Sequence, residues 1–579
     1  MKKAFLAMVM TLFIAAPAFL AAGCNRGNIV EKVDHARTQL YCVSYNGGFG
    51  SDWLDLAKAR FEKENAEVCF EPGVTYKGVE KKGVQIMVSR DKTNGGEKQL
   101  SLAGVSKSEV YFCEQIYLSH WLGAEVLMDI TDIVEENLKE KYGEDASIES
   151  KFTEQQKQSL KVGGKYYAIP HNEGYMGIHY NVDLFEEYAL YFSNAEDEVF
   201  VFDGKDVSER RTGPSGIPGG YDAGLPITYS DFFLLCDEMA SKNIIPLYWT
   251  GGHTQYNDGL MTCLAGNIEG AEQAALAFNF SGTGKNIISV GADIPARGQV
   301  KPSNITHRPG VAVNNPGGYE VFRQAGRYYA LEFYEKIFSD TKYYDAKNCF
   351  SAGISHIGAQ ENFLYAGRSG KQQIGMLVEG TWWENEAKGI FQSMEKTYGA
   401  SASRANRRFG FMPLPKPDAD MVPAGVTVSS GVTLLDSIKS YAFINAHSTT
   451  SENKIKLAKK FLQFCYTYES LAEYTVEVGL PRALQYDLKE ADFERIPHYG
   501  KTVWQARKNA EIVYPFSSNS VFLSSESNLS PNPGGPPGLW TTAMSNSPVL
   551  ALHNGTTAEQ YFRNMESHYN SSMWANSYN

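Results

Sequence analysis

The alternation of β-rich runs with turn and helix signals between residues 39 and 122 limits this chain more than any other feature. Gln39-Leu40-Tyr41-Cys42-Val43-Ser44-Tyr45 is β-rich and ends in Asn46-Gly47-Gly48-Phe49-Gly50, a flexible turn. Ser51 is then placed to cap a helix opening at Asp52-Trp53-Leu54. Val68-Cys69-Phe70-Glu71 is a second strand candidate. Glu109-Val110-Tyr111-Phe112-Cys113 is a third, followed by a turn and a helical stretch through His120-Trp121-Leu122. Strand, turn, helix, strand is the rhythm of a parallel α/β sheet. Ligands of such sheets sit beyond the carboxyl ends of the strands. That nominates Tyr45 and Asn46 with the glycines after them, and Glu114 with Gln115.

The chain has 579 residues, enough for two or more lobes with their own cores. Residues 165–185 are extended, aromatic and polar by turns, and include His171-Asn172-Glu173 in a turn expected to face a cleft. Residues 186–226, rich in Gly and charge, read as an inserted surface excursion. Helical patterns follow at 229–241, 446–466 and 557–574, with apolar residues recurring at helical spacing in the second. The stretch 516–548 is rich in Ser, Asn, Pro and Gly and reads as loop.

The N-terminus carries an address. Lys2 and Lys3 precede an uncharged apolar run over 4–20, then Ala21-Ala22-Gly23-Cys24. That is the order of a secretory signal, and the run is too short for a stable membrane span. Its small residues ending in cysteine resemble the bacterial lipoprotein signal, in which Cys24 would become the first mature residue and carry the lipid. Cleavage there would take the formal charge from −12 to −14. An acidic balance argues against a nucleic-acid partner. Seven cysteines would remain, scattered in apolar surroundings, which does not suit a disulfide framework. Cys42, Cys69 and Cys113 read as buried small hydrophobes, and no Cys or His spacing suits a metal. No cofactor is expected.

The order of segments resembles the extracellular solute-binding proteins of ABC importers, in the carbohydrate-binding branch that includes maltose-binding protein. The resemblance is carried by several stretches. These are Tyr45-Asn46-Gly47-Gly48, Tyr180-Asn181-Val182-Asp183-Leu184-Phe185, and 375–384 with its Trp382-Trp383. Gly410-Phe411-Met412-Pro413-Leu414-Pro415, Tyr441-Ala442-Phe443-Ile444-Asn445-Ala446 and Gly479-Leu480-Pro481-Arg482 complete the set. It implies a two-lobed periplasmic-binding-protein-like α/β fold, each lobe a mixed, mostly parallel sheet flanked by helices and joined by crossover hinge strands. The expected divisions are a signal peptide at 1–23 and a tether at 24–37. An N-terminal lobe follows from 38–178 and 408–510, and a C-terminal lobe from 179–407 and 511–579. Hinges are expected at 175–181 and 408–412. The implied function is capture of a carbohydrate, an oligosaccharide, by a lipid-anchored monomer outside the cytoplasmic membrane for delivery to ABC permease subunits.

Sugars present C–H ridges and hydroxyl edges, so their sites need flat aromatics and placed polar groups. Trp382 and Trp383 supply the first. Adjacent residues point opposite ways, so the resemblance assigns stacking to Trp382 and leaves Trp383 open to a core position. Tyr248 and Trp249, before the turn Thr250-Gly251-Gly252-His253, fit a second wall or a packed turn equally. Trp540 is a third candidate wall. The polar candidates are Asn46, Glu114, His171, Asn172, Glu173, Glu379 and Arg482, the last fitting an internal ion pair better than a ligand contact. Paired carboxylates beside aromatics also admit glycoside hydrolysis, with Glu114, Glu173, Glu379, Glu384 and Glu386 as the pool. No other hydrolase or phosphate-loop motif is present. A sugar sensor or adhesin of the same fold is the remaining alternative.

Overall fold

A computed structural model describes residues 32–92, 96, 98–202, 206–291, 300–314, 317–515, 540, 545 and 547–578. The signal sequence, Cys24, the start of the tether and most of the 516–548 stretch lie outside the described residues. No helix among the described residues is long and apolar enough to cross a membrane.

Two mixed sheets carry an α/β, two-lobed architecture. The first has the strand order Val84–Asp91, Thr38–Tyr45, Val110–Glu114, Ser440–Ile444, Ile169–Pro170. Its first three strands run parallel, joined by the helix Asp52–Glu64, which buries Trp53, Leu54, Ala57 and Phe61 on one face. Ser51 stands at the N-cap of that helix but makes no side-chain cap; its hydroxyl donates to Asn46 Oδ1 at 3.1 Å. The sheet partner after this helix is Val84–Asp91 and not the run at 68–71. The chain first passes through an exposed hairpin, Thr75–Tyr76 with Val79–Glu80.

The second sheet has the order Ile244–Tyr248, Gln373–Gly380, Met176–Asn181, Phe409–Met412. The helix Tyr229–Ser241 begins at a capping box between Thr228 and Asp231. The C-terminal pattern forms two helices, Ala558–His568 and Ser571–Tyr578, rather than one. Four of the seven strand pairings in the two sheets are antiparallel, so the sheets are mixed without a parallel majority. Ser440–Ile444 and Phe409–Met412 arrive after long excursions and pair antiparallel, which no helical crossover constrains. The described cysteines are all free, and six are buried; Cys69 is half-buried rather than core.

Both expected hinges, 175–181 and 408–412, fall in strands of the second sheet. The helix His498–Lys508 packs there too: Thr502 Oγ1 accepts from the Phe411 N–H at 3.0 Å. The chain instead passes between sheets near 171–175, 413–439 and 483–497. These passages meet at a buried cluster. Glu173, with no exposed surface, accepts from Arg507 Nε at 2.6 Å and Tyr514 Oη at 2.7 Å, and also from the Tyr175 hydroxyl. Next to it, Asp436 Oδ1 accepts from the Gly174 N–H at 3.1 Å, and the Asp436 N–H donates to Val513 O at 2.9 Å.

Removing one partner of a buried ion pair leaves an uncompensated charge. Arg507→Met is therefore expected to lower stability by about 3–5 kcal/mol, read from the denaturant midpoint. Combining it with Glu173→Gln is expected to recover part of that loss.

Candidate functional site in the interlobe cleft

The two lobes meet where the Asn46-Gly47-Gly48 turn faces the segment after the strand Gln373–Gly380. Asn385 Nδ2 donates to Gly48 O at 2.9 Å. Lys92 Nζ lies 3.4 Å from Glu386 Oε1, and Lys388 Nζ 3.6 Å from Asp52 Oδ2.

Trp382 stands between them, half-buried. Its ring is 5.9 Å from Phe49 of the first lobe and 6.5 Å from Tyr256 of the second. Side chains at Gly48 or Gly380 would collide with the indole, and a Cβ on Gly174 would lie 2.9 Å from Phe49 and 3.1 Å from Trp382. Three glycines thus make the bed in which this ring sits. Tyr256 stacks near-parallel to His356 at 6.4 Å, and His253 lies 5.4 Å from His356, extending the wall into the second lobe.

Carboxyls and amides edge this wall. Glu386 Oε2 accepts from Gln360 Nε2 at 2.9 Å, and its Oε1 is 3.5 Å from His356 Nε2. Burial pushes its carboxyl up, but His356, Gln360 and Lys92 outweigh that and hold it below the usual range. From the first lobe comes Glu114, whose Oε1 accepts from Asn172 Nδ2 at 2.5 Å. Burial, opposed by that amide and aided by the charge of Glu386, pushes the Glu114 carboxyl up to about 8. Burial, then Glu114 and Glu386, also raise the Tyr45 hydroxyl, which accepts from Gln115 Nε2 at 3.4 Å. One cleft therefore holds one carboxyl shifted up by burial and one shifted down by its partners.

Of the sequence candidates, Tyr45, Asn46, Glu114, Asn172 and Trp382 gather around this cleft. Glu379 lies behind it, fully buried, with Oε1 accepting from the Gly380 N–H at 3.0 Å; burial, then Glu386, raises its carboxyl well above the usual range.

The other candidates stand elsewhere. Trp383 is core, ringed by His179, Phe363, Phe409 and Tyr499, as alternation with Trp382 allows. Trp249 is no second wall: it is buried, stacked 5.2 Å from Tyr344 and edged by Phe338 and Phe350. Tyr248 is buried beside it, its hydroxyl taking the Asn362 amide at 2.9 Å. Trp540 is buried in the second lobe, donating to Thr262 Oγ1 at 2.8 Å. His171 is packed against Trp53 and Phe112 and bonded to Tyr466 Oη at 3.1 Å; burial, then Arg482, lowers its pKa well. Glu173 belongs to the crossing cluster. Arg482 forms no ion pair among the described residues, and meets the cleft residue Asn172 only through a backbone bridge. Its buried guanidinium lies 4.3 Å from the Trp53 and Tyr474 rings and 4.8 Å from Tyr466. Glu384 is buried in an ion pair with Arg404 at 3.0 Å and leaves the hydrolase pool.

Phe49, Tyr256, His356, Gln360 and Asn385 were not singled out from sequence. Ser355 capping a helix with His356 and Gln360 four apart was a readable signal for two polar groups on one face, though not for what they face.

No protein-family model and no curated protein sequence matches the chain. Solved structures do. The cyclic alpha-maltosyl-1,6-maltose binding protein from Arthrobacter globiformis superposes with a TM-score of 0.50 at 12% identity, over 93% of this chain and 100% of that one. A probable secreted solute-binding lipoprotein from Streptomyces coelicolor gives 0.52 at 12% identity, over 93% and 99%. The chain has the fold of these two-lobed solute-binding proteins.

A carboxyl whose folded pKa is raised stabilises the fold below its unfolded pKa, and that contribution is lost as pH rises through the folded value. For Glu114 the window runs from about 4.5 to about 8. Glu114→Gln is expected to flatten the decline of thermal stability across that window relative to the parent chain.

Proposed function

We propose that this chain captures a carbohydrate, an oligosaccharide, between its lobes and presents it to the permease subunits of an ABC importer. It does so as a monomer held outside the cytoplasmic membrane by a lipid on Cys24. One observation carries the reading: Trp382 lies half-buried between the lobes, bedded on glycines and flanked by Phe49 and Tyr256, with the linked groups Glu386, His356 and Gln360 in the same cleft. A sugar ring needs that combination of flat apolar surface and hydrogen-bonding rim. The fold supports it, and so does the sugar for which the Arthrobacter protein is named, cyclic alpha-maltosyl-1,6-maltose. Ligand contacts both lobes only when they are together, so binding favours the closed form, which the permease recognises.

A second reading, glycoside hydrolysis, is favoured by two carboxyls shifted in opposite directions in one cleft, Glu114 and Glu386. Product analysis separates the two readings: a ligand recovered intact supports capture, and cleaved sugar establishes the enzyme.

The test is a thermal-shift screen against mono- and oligosaccharides, with amino acids and peptides as controls, followed by calorimetry. A ligand at a hundred times its Kd adds about 2.7 kcal/mol of stability. Trp382→Ala is expected to weaken the best sugar at least about tenfold, about 1.4 kcal/mol, with thermal stability little changed. Trp249→Ala is expected to do the reverse. It costs about 3–5 kcal/mol of stability and leaves the affinity of the folded fraction unchanged.

A further inference from the structure

The first lobe carries a β-hairpin that neither the cleft nor the crossings use. Thr75–Tyr76 pairs antiparallel with Val79–Glu80, Tyr76 opposite Val79. Lys77 (φ 52°) and Gly78 (φ 81°) make the two-residue turn, both left-handed, which suits the twist of a tight hairpin. Every residue from 72 to 80 is exposed. Side chains alternate along a strand, so Val74, Tyr76 and Val79 share one face. That face is open: Val79 is 69% exposed, Val74 41% and Tyr76 38%. Single exposed apolar residues are ordinary; three on one face of a projecting tip mark a contact surface.

The start of the described chain is bound to this hairpin. The Lys82 N–H donates to Ala36 O at 3.2 Å, and the Gln85 side chain bonds both Lys32 O and the Asp34 N–H. The His35 ring lies 5.6 Å from the Tyr76 ring. The polypeptide therefore enters the lobe beside the apolar face. From Cys24 to Lys32 the chain can span at most about 28 Å. A lipid on Cys24 would keep Lys32 within that distance of the bilayer, with the hairpin beside the point where the chain enters the lobe.

Charge says what kind of surface would fit. Lys81 pairs with Glu71 at 3.3 Å and Lys82 with Glu67 at 3.1 Å, so the hairpin base offers no basic excess to a polyanion. The tip itself is Val, Tyr and Val, with Lys77 Nζ 5.3 Å from the Tyr76 ring. Tyrosine with a flanking lysine settles at the boundary between headgroups and acyl chains, ring inward and ammonium outward. We infer that the 74–79 hairpin tip docks into the headgroup–acyl boundary of the membrane that carries the anchor, and so fixes how the first lobe faces that membrane. This rests on the lipid anchoring proposed above and goes beyond it.

The test uses the full-length lipidated chain in vesicles of phosphatidylethanolamine and phosphatidylglycerol, with no permease present. An environment-sensitive fluorophore is placed at Val79→Cys or, as control, at Leu234→Cys, which lies exposed on the helix Tyr229–Ser241 of the second lobe. Both carry Cys69→Ser, since Cys69 is the described free cysteine that is not buried. Spin-labelled lipid is expected to quench the label at 79 at least about twofold more than at 234, without loss in high salt or on diluting protein in lipid. Equal quenching at the two positions overturns the docking. So does protection that vanishes on dilution, which would belong to a second copy. Intact mass reports the anchor separately. A chain without lipid overturns anchor and docking together, and a lipidated chain with a solvent-exposed label at 79 overturns docking alone.

Discussion

One buried carboxylate, Glu173, holds the passages between the two sheets in register. Its charge has no solvent contact and is tolerated because Arg507, Tyr514 and Tyr175 all donate to it. These partners come from the passage near 171–175 and from the segment after the last one. The middle passage joins through Asp436 and Ser437, whose N–H groups donate to Val513 O at 2.9 Å and Gly174 O at 2.7 Å. Burial, then the neighbouring Glu173, raises the Asp436 carboxyl well above its usual range. No one passage can slide without breaking a buried hydrogen bond.

This cluster lies directly beneath the aromatic wall. Gly174, the residue after Glu173, leaves room for Phe49, Trp382 and Ile438 to close over the backbone. The crossing cluster and the aromatic wall are therefore close neighbours, with no room between them for a side chain at residue 174. The contacts across the cleft rim are of another order. They include one amide-to-carbonyl bond at 2.9 Å and ion pairs at 3.4 and 3.6 Å from exposed or partly exposed lysines. Such surface pairs contribute about 0–1 kcal/mol each. The rim contacts are therefore far weaker than the buried hydrogen bonds of the crossing cluster.

What could be read in the sequence was what local chemistry decides. The helix Tyr229–Ser241 was legible because a capping box and a 3.6-residue repeat coincide. The separate fates of Trp382 and Trp383 were expected from alternation, but both lie past the strand end at Gly380, Trp382 as the N-cap of the short helix Trp383–Glu386, so it is the turn into that helix that parts them. The two-lobed architecture was legible from the order of segments. Nothing local distinguished Trp249 from Trp382, since both follow a strand and precede a turn; only Tyr344, Phe338 and Phe350, brought in by another part of the chain, decide that Trp249 is core. The same holds for Glu173, whose cation is 334 residues away. Arg482 shows it again, since its aromatic cage draws on Trp53, Tyr466 and Tyr474. The strand Val84–Asp91 was missed because the exposed hairpin before it delays the return to the sheet.

The cleft's polarity follows from a division of charge between its lobes. His356, Gln360 and Lys92 hold the Glu386 carboxyl below its usual range against burial, while burial, and then the charge of Glu386, raises the carboxyls of Glu114 and Glu379. Asn172 spends its amide N–H on Glu114 Oε1 and takes the Tyr474 hydroxyl on its own oxygen at 2.6 Å. Glu114 Oε1 is therefore already taken by the Asn172 amide. Two carboxyls of the same type are thus shifted in opposite directions by their surroundings, one up by burial and one down by its partners.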